Sequence, residues 1–174
     1  SKIGVLIHQS NPASGNIYSI TFSPDDKYFV AGHYSGQVTK WRTSTLTIVA
    51  TYTLGLSGTY RVTYSNDGNY IAIGSNLIGT VTILNAQTFT LNTTISTGWT
   101  LADGLDFATI VNASNMGNSG NMKSYRVSDW TLNTTIITSS TNKLLSCKYS
   151  KDNKIAVVGL HYYGTFDNLG NPIF

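Results

Sequence analysis

One seven-residue phrase, repeated at a fixed spacing, constrains this chain more than anything else in it. Phe22-Ser23-Pro24-Asp25-Asp26-Lys27-Tyr28 returns as Tyr64-Ser65-Asn66-Asp67-Gly68-Asn69-Tyr70, and again as Tyr149-Ser150-Lys151-Asp152-Asn153-Lys154-Ile155. The first two copies start 42 residues apart, and the second and third 85 apart, which is two periods. A further copy is expected near residue 107, where Leu105-Asp106-Phe107-Ala108 stands in eroded form. A second series keeps the same beat. Leu46-Thr47-Ile48-Val49-Ala50-Thr51 aligns with Phe89-Thr90-Leu91-Asn92-Thr93-Thr94 and with Trp130-Thr131-Leu132-Asn133-Thr134-Thr135, at spacings of 43 and 41. Self-similarity at this period predicts an array of equal units, each burying its faces against its neighbours.

Each unit is made of strands and turns. Residues 17–22 alternate as a half-buried strand does. Ser23-Pro24-Asp25-Asp26 supplies a turn, because Pro fixes φ and Asp bonds its own backbone. Residues 28–32 are nearly all apolar, which predicts a strand buried on both faces; 37–42 and 48–53 complete the first unit. The second unit predicts strands at 60–64, 70–75, 80–84 and 91–95. The third predicts 105–111, a loop over 112–120, then 122–127 and 132–137. The fourth predicts 144–149, 155–159 and 163–166. Composition agrees: only 11% of residues are charged and all eight acids are Asp, so the helix-favouring Glu is missing. The expected fold is all-β: a β-propeller of four-stranded antiparallel blades, in about four repeats of ~42 residues. The blades are expected at 17–53, 60–95, 103–138 (degenerate) and 144–174 (truncated). Residues 3–8 read as a strand of a preceding or closing blade.

The unit Val30-Ala31-Gly32-His33-Tyr34-Ser35-Gly36-Gln37-Val38-Thr39-Lys40-Trp41, following Phe22-Ser23-Pro24-Asp25, resembles a WD-repeat (WD40-like) β-propeller. Ile73-Gly74-Ser75, Gly79-Thr80-Val81-Thr82-Ile83-Leu84-Asn85 and Asn92-Thr93-Thr94-Ile95 are similar to the surface-layer (YVTN-like) propeller repeats. The departures are specific. No Gly-His dipeptide precedes the first strand, Ser35 stands where the family has a turn Asp, and Leu84 replaces the Trp found at Trp41. The stiffening side-chain network of the family is therefore expected to be mostly missing. Closed propellers have four to eight blades. The expectation is a stretch of a longer or assembled propeller, with two paired copies or a four-blade ring as the other ways to close.

Charge and motifs narrow the function. A net charge of +3 without a basic stripe argues against nucleic acid. Cys147 alone excludes a disulfide framework, and no apolar run is long enough to span a membrane. His8, His33 and His161 lack metal-ligand spacing, and Asp25-Asp26 lacks the alternating acids of a calcium loop. Gly117-Asn118-Ser119-Gly120 is not followed by the Lys and Ser/Thr of a phosphate loop. Asp103 and Asp106 are the one carboxylate pair a glycoside-hydrolysing site could use. No enzyme activity, cofactor or metal is expected. Candidate glycosylation acceptors are Asn92, Asn112 and Asn133; candidate interface aromatics are Tyr34, Trp99, Tyr162 and Tyr163. The expected function is a non-catalytic scaffold that binds other proteins, or further copies of itself, through rim loops and blade surfaces. The alternative is an extracellular, glycosylated structural or adhesive protein that self-assembles. A carbohydrate-binding or hydrolytic propeller is more distant. Low charge and abundant Thr, Ser and Asn lean toward a cell-surface setting over the cytoplasm.

Overall fold

The computed structural model describes residues 15–55, 58–75, 80–96, 105–107, 110–114, 121–137, 143–149 and 156–161. Among these, every regular element is a β-strand. The first sheet contains β1 (Ile17–Phe22), β2 (Tyr28–His33), β3 (Gln37–Arg42) and β4 (Thr47–Thr53). The second contains β5 (Thr59–Tyr64), β6 (Tyr70–Ser75), β7 (Thr80–Asn85) and β8 (Leu91–Ser96). The third contains β9 (Leu105–Phe107), β10 (Ile110–Ser114), β11 (Asn121–Arg126) and β12 (Leu132–Ile137). A final pair joins β13 (Lys143–Tyr149) and β14 (Ala156–His161). Neighbours in sequence are neighbours in each sheet, and all pairs are antiparallel. The first three sheets are four-stranded blades of a β-propeller, and the last is described over two strands.

The third unit departs from its expected strands. Where one strand is expected over 105–111, Leu105–Phe107 and Ile110–Ser114 are two antiparallel strands, with Val111 opposite Phe107. Asn112, expected to open a loop, lies on β10 between Asp106 of β9 and Ser124 of β11. An apolar run shows that a segment is buried but carries no mark of where it doubles back. The strand expected at 163–166, the third copy's turn at 150–152 and the N-terminal strand at 3–8 lie outside the described residues.

The repeated phrase is a turn mechanism. The Ser23 hydroxyl donates to Asp25 Oδ1 at 2.7 Å and accepts from the Tyr28 amide at 3.0 Å. The Ser23 amide donates to the Tyr28 carbonyl at 2.8 Å, and Asp25 Oδ1 takes the Lys27 amide. Ser65 repeats this arrangement with Asp67 at 2.6 Å and the Tyr70 amide at 2.9 Å. Side chain thus replaces the ladder bonds that a strand loses on turning. The turn needs one left-handed residue, supplied by Asp26 (φ 57°) and then by Gly68 (φ 75°). The phrase also fixes register. Phe22 faces Phe29, Tyr64 faces Ile71 and Tyr149 faces Ala156, while bulges fall at the same point in β1, β5 and β13.

The second series is a turn as well. Leu46, Phe89 and Trp130 all have positive φ, between 55° and 59°, and each donates its amide four residues back. None is glycine, so each holds a strained backbone of order 1 kcal/mol. Two of the side chains offset it: Phe89 is 5% exposed, and Trp130 meets the Tyr70 ring edge-on at 5.3 Å.

Blades stack head to tail. Val30 and Val38 of the first sheet pack against Val62, Tyr64, Ile71, Ile73 and Leu84 of the second. The opposite face of the second sheet, with Ala72, Val81 and Ile83, packs against Tyr125, Val127 and Trp130 of the third. The central strand β6 is therefore covered on both sides. The tightest approach is at Gly32, where any Cβ would run into the Thr59 methyl and lie 3.1 Å from Val62. On the face of the first sheet turned away from the second, Phe29 stacks on Trp41 at 5.7 Å. There a small buried network departs from the expected loss of stiffening contacts. His33 Nε2 and Trp41 Nε1 each lie 2.8 Å from Thr39 Oγ1. Burial lowers the His33 pKa, and the Gly15 backbone partly opposes this. Trp41 donates to Thr39, and the Thr39 hydroxyl and the His33 ring share one hydrogen bond.

Candidate functional site

The two repeated turns come together across the first blade junction. β1 ends and β3 ends at the same rim, because the sheet is antiparallel, and the second sheet presents its own rim beside it. Between them opens a cleft of about 410 Å³. Ser23, Pro24 and Asp25 form one lip, and Asp67, Gly68 and Asn69 the other. Tyr28, Lys40 and Tyr64 form the floor, with Ala86 and Gln87 completing it.

Lys40 lies on β3 facing the second sheet and is only 8% exposed. Its ammonium donates to the Ala86 carbonyl at 2.6 Å and sits 4.4 Å from the centre of the Tyr28 ring. Arg42 covers the same ring at 5.4 Å. Charge-assisted bonding and ring attraction together compensate a buried cation. Burial nonetheless lowers the Lys40 pKa, against the pull of Asp25.

Tyr64 ends β5 and is 6% exposed. Its hydroxyl is buried and has no hydrogen-bond partner. Burial, then the Asp25 charge and Tyr28, push its pKa far above the usual tyrosine range, so it stays a neutral donor. Asp25 is the reverse case. The Ser23 hydroxyl, then Lys27, hold its carboxyl at about 2. Burial raises the Asp67 pKa, but the bonds from Ser65 and Asn69 prevail and lower it. The cleft thus combines two fixed carboxylates, one buried ammonium and one unmatched phenol.

The sequence-derived candidates lie elsewhere. Tyr34 follows β2 at the end opposite Tyr28; it is 51% exposed and lies 5.7 Å from the Tyr18 ring. Trp99, Tyr162 and Tyr163 are outside the described residues. Asn92 and Asn133 are exposed near the starts of the edge strands β8 and β12, and Asn133 reaches Ser124 Oγ at 3.4 Å. Asn112 is on the interior strand β10, and Asp106 on β9; Asp103 is outside the described residues. Among the described residues no cluster of His, Cys, Asp or Glu is placed to hold a metal, and no helix is long and apolar enough to cross a membrane. Lys40 and Tyr64 carried no functional signal in the sequence. Lys40 bonds a carbonyl 46 residues away and Tyr64 packs against the adjacent blade, beyond any local pattern.

Residues 4–42 match the family described as "WD domain, G-beta repeat". No curated protein sequence matches the chain. The solved structures it resembles include "Structure of U3-55K" and "Crystal structure of RRP9 WD40 repeats". Each is 16% identical, with a TM-score of 0.71 over 79% of this chain and 43% of theirs. "Kuenenia stuttgartiensis Hydrazine Synthase" is 15% identical, with a TM-score of 0.78 over 94% of this chain and 47% of that one. The chain spans less than half the length of each. At such identity the likeness establishes the fold, which serves an enzyme as well as a repeat domain.

Proposed function

Starting from a WD-repeat β-propeller fold, we propose that this chain is a non-catalytic docking module that holds partner proteins on stiff blade rims. The observation that carries this reading is the Tyr18–Tyr34 pair. Two tyrosines, 43% and 51% exposed, stand together at one rim of a sheet whose central strands are buried. Large aromatics held rigidly are the usual anchors of protein interfaces. Further blades would complete the ring, since Ile20 and Phe22 leave an apolar face open on the first sheet. That stacking is heterologous, one face against a different face, and closes only by rotation into a ring.

The test is cross-linking of the intact chain in extract from its source, repeated with Tyr18→Ala/Tyr34→Ala. Loss of the captured protein by at least about tenfold, with the strand signal in circular dichroism unchanged, is expected for hot-spot tyrosines. Capture at unchanged yield would remove these tyrosines as the anchor. A second reading, a glycosylated surface protein, draws on the exposure of Asn92 and Asn133 on edge strands. A glycosidase-sensitive mass increase lost in Asn92→Gln/Asn133→Gln would favour it.

A further inference from the structure

The cleft between the first two blades contains hydrogen-bonding capacity that the protein does not use. The Tyr64 hydroxyl is buried without a partner. The turn beside it does not require it, because the same turn forms in the first repeat next to Phe22. A buried phenol without a partner is an expense that a phenylalanine would avoid. Beside it, Lys40 spends one of its three donors on Ala86. Both donors line the cleft. At the lips, Asp25 and Asp67 use their inner oxygen on the turn serines, at 2.7 and 2.6 Å. Their outer oxygens meet exposed side chains, the Lys27 ammonium 3.2 Å from Asp25 Oδ2 and the Asn69 amide 2.8 Å from Asp67 Oδ2, and each keeps a further lone pair for another donor.

We propose that this cleft receives a carboxamide, the side chain of an Asn or Gln carried on a loop of a partner protein. Its carbonyl oxygen lies between the Tyr64 hydroxyl and the Lys40 ammonium, and its amide hydrogens reach the carboxylate of Asp25 or Asp67. An anion meets two carboxylates here, and a cation meets Lys40. A carboxamide is uncharged and presents one acceptor and two donors side by side. The volume of about 410 Å³ exceeds what an amide fills and leaves room for the backbone that carries it. This inference rests on the docking reading, but at a rim distinct from Tyr18 and Tyr34.

The experiment is an NMR titration of the intact, isotopically labelled chain with acetamide. Acetate, guanidinium and methyl glucoside serve as separate probes. The reporters are the backbone amides of Gly68, Asn69 and Gln87, which line the cleft. Saturable shifts with acetamide at millimolar concentration are expected, with at least fivefold weaker binding in Tyr64→Phe and in Lys40→Met. The Tyr64→Phe variant keeps the packed ring, so it folds even if Lys40→Met does not. The proposal is overturned if acetamide gives no saturable shift, or if Tyr64→Phe binds it as well as the parent chain. Equal saturation by acetate, guanidinium or methyl glucoside also overturns it, the last in favour of a sugar. None of these outcomes involves a partner protein, so the docking reading stands or falls on its own cross-linking test.

Discussion

Phe22 and Tyr64 occupy the same place in consecutive repeats, yet one is 56% exposed and the other 6%. Ile20 and Val62 differ in the same way, at 54% and 5%. The turns beside them do not differ: Ser23 and Ser65 are both buried and hold their Asp partners at 2.7 and 2.6 Å. Whatever is made within one sheet is therefore copied from repeat to repeat. Whatever is made between sheets depends on having a neighbour. The second sheet has the first against it; no described residue plays that part for the first.

The largest predicted effect tests this contrast directly. Tyr64→Ala should cost about 3 kcal/mol in urea unfolding, as buried aromatics do, and Phe22→Ala less than about 1 kcal/mol. An equal cost at Phe22 would show that its face is covered in solution. Next comes Gly32→Ala, expected to destabilise by about 1–3 kcal/mol through overpacking against Thr59 at the blade junction. A neutral result there would mean the two sheets separate easily. Ser23→Ala and Ser65→Ala should each cost about 1 kcal/mol, and by the same amount, because their bonds are local. Unequal costs would break the claim that turns are indifferent to neighbours. The smallest effect concerns protons. Asp25 titrates at about 2, below the ordinary carboxylate value, so its contribution is present above that ordinary value and disappears as pH falls toward 2. Ser23→Ala should move this titration upward, as read by carboxyl carbon NMR, leaving Asp67 unmoved.

The fold was legible because its signals are short-range. Ser, Asp and a left-handed residue at fixed offsets define a turn wherever they occur, and the spacing between turns counts the blades. The strand break between Phe107 and Ile110 was not legible, since the residues on either side are equally apolar. The His33–Thr39–Trp41 contact was hidden for another reason: His33 ends β2, whereas the resemblance implies a histidine ahead of the first strand. The cleft was the least legible feature of all. Asp25 and Asp67 were visible as turn residues, but Lys40 reaches a carbonyl on the next sheet, and Tyr64 is buried by residues of the previous one. Chemistry assembled between repeats has no period.

The matched family unit ends at Arg42, the last residue of β3, while β4 still belongs to the same sheet and pairs with β3 from Gln37 to Arg42. The segment that recurs in sequence and the segment that folds as one sheet are thus out of step by a strand. Shortening or splicing this chain after Arg42 would strip the outer strand from the first sheet and bare the β3 edge to other chains. Cutting after Thr53 keeps that sheet whole. For anyone recombining these repeats, the safe joint lies one strand downstream of the last matched residue.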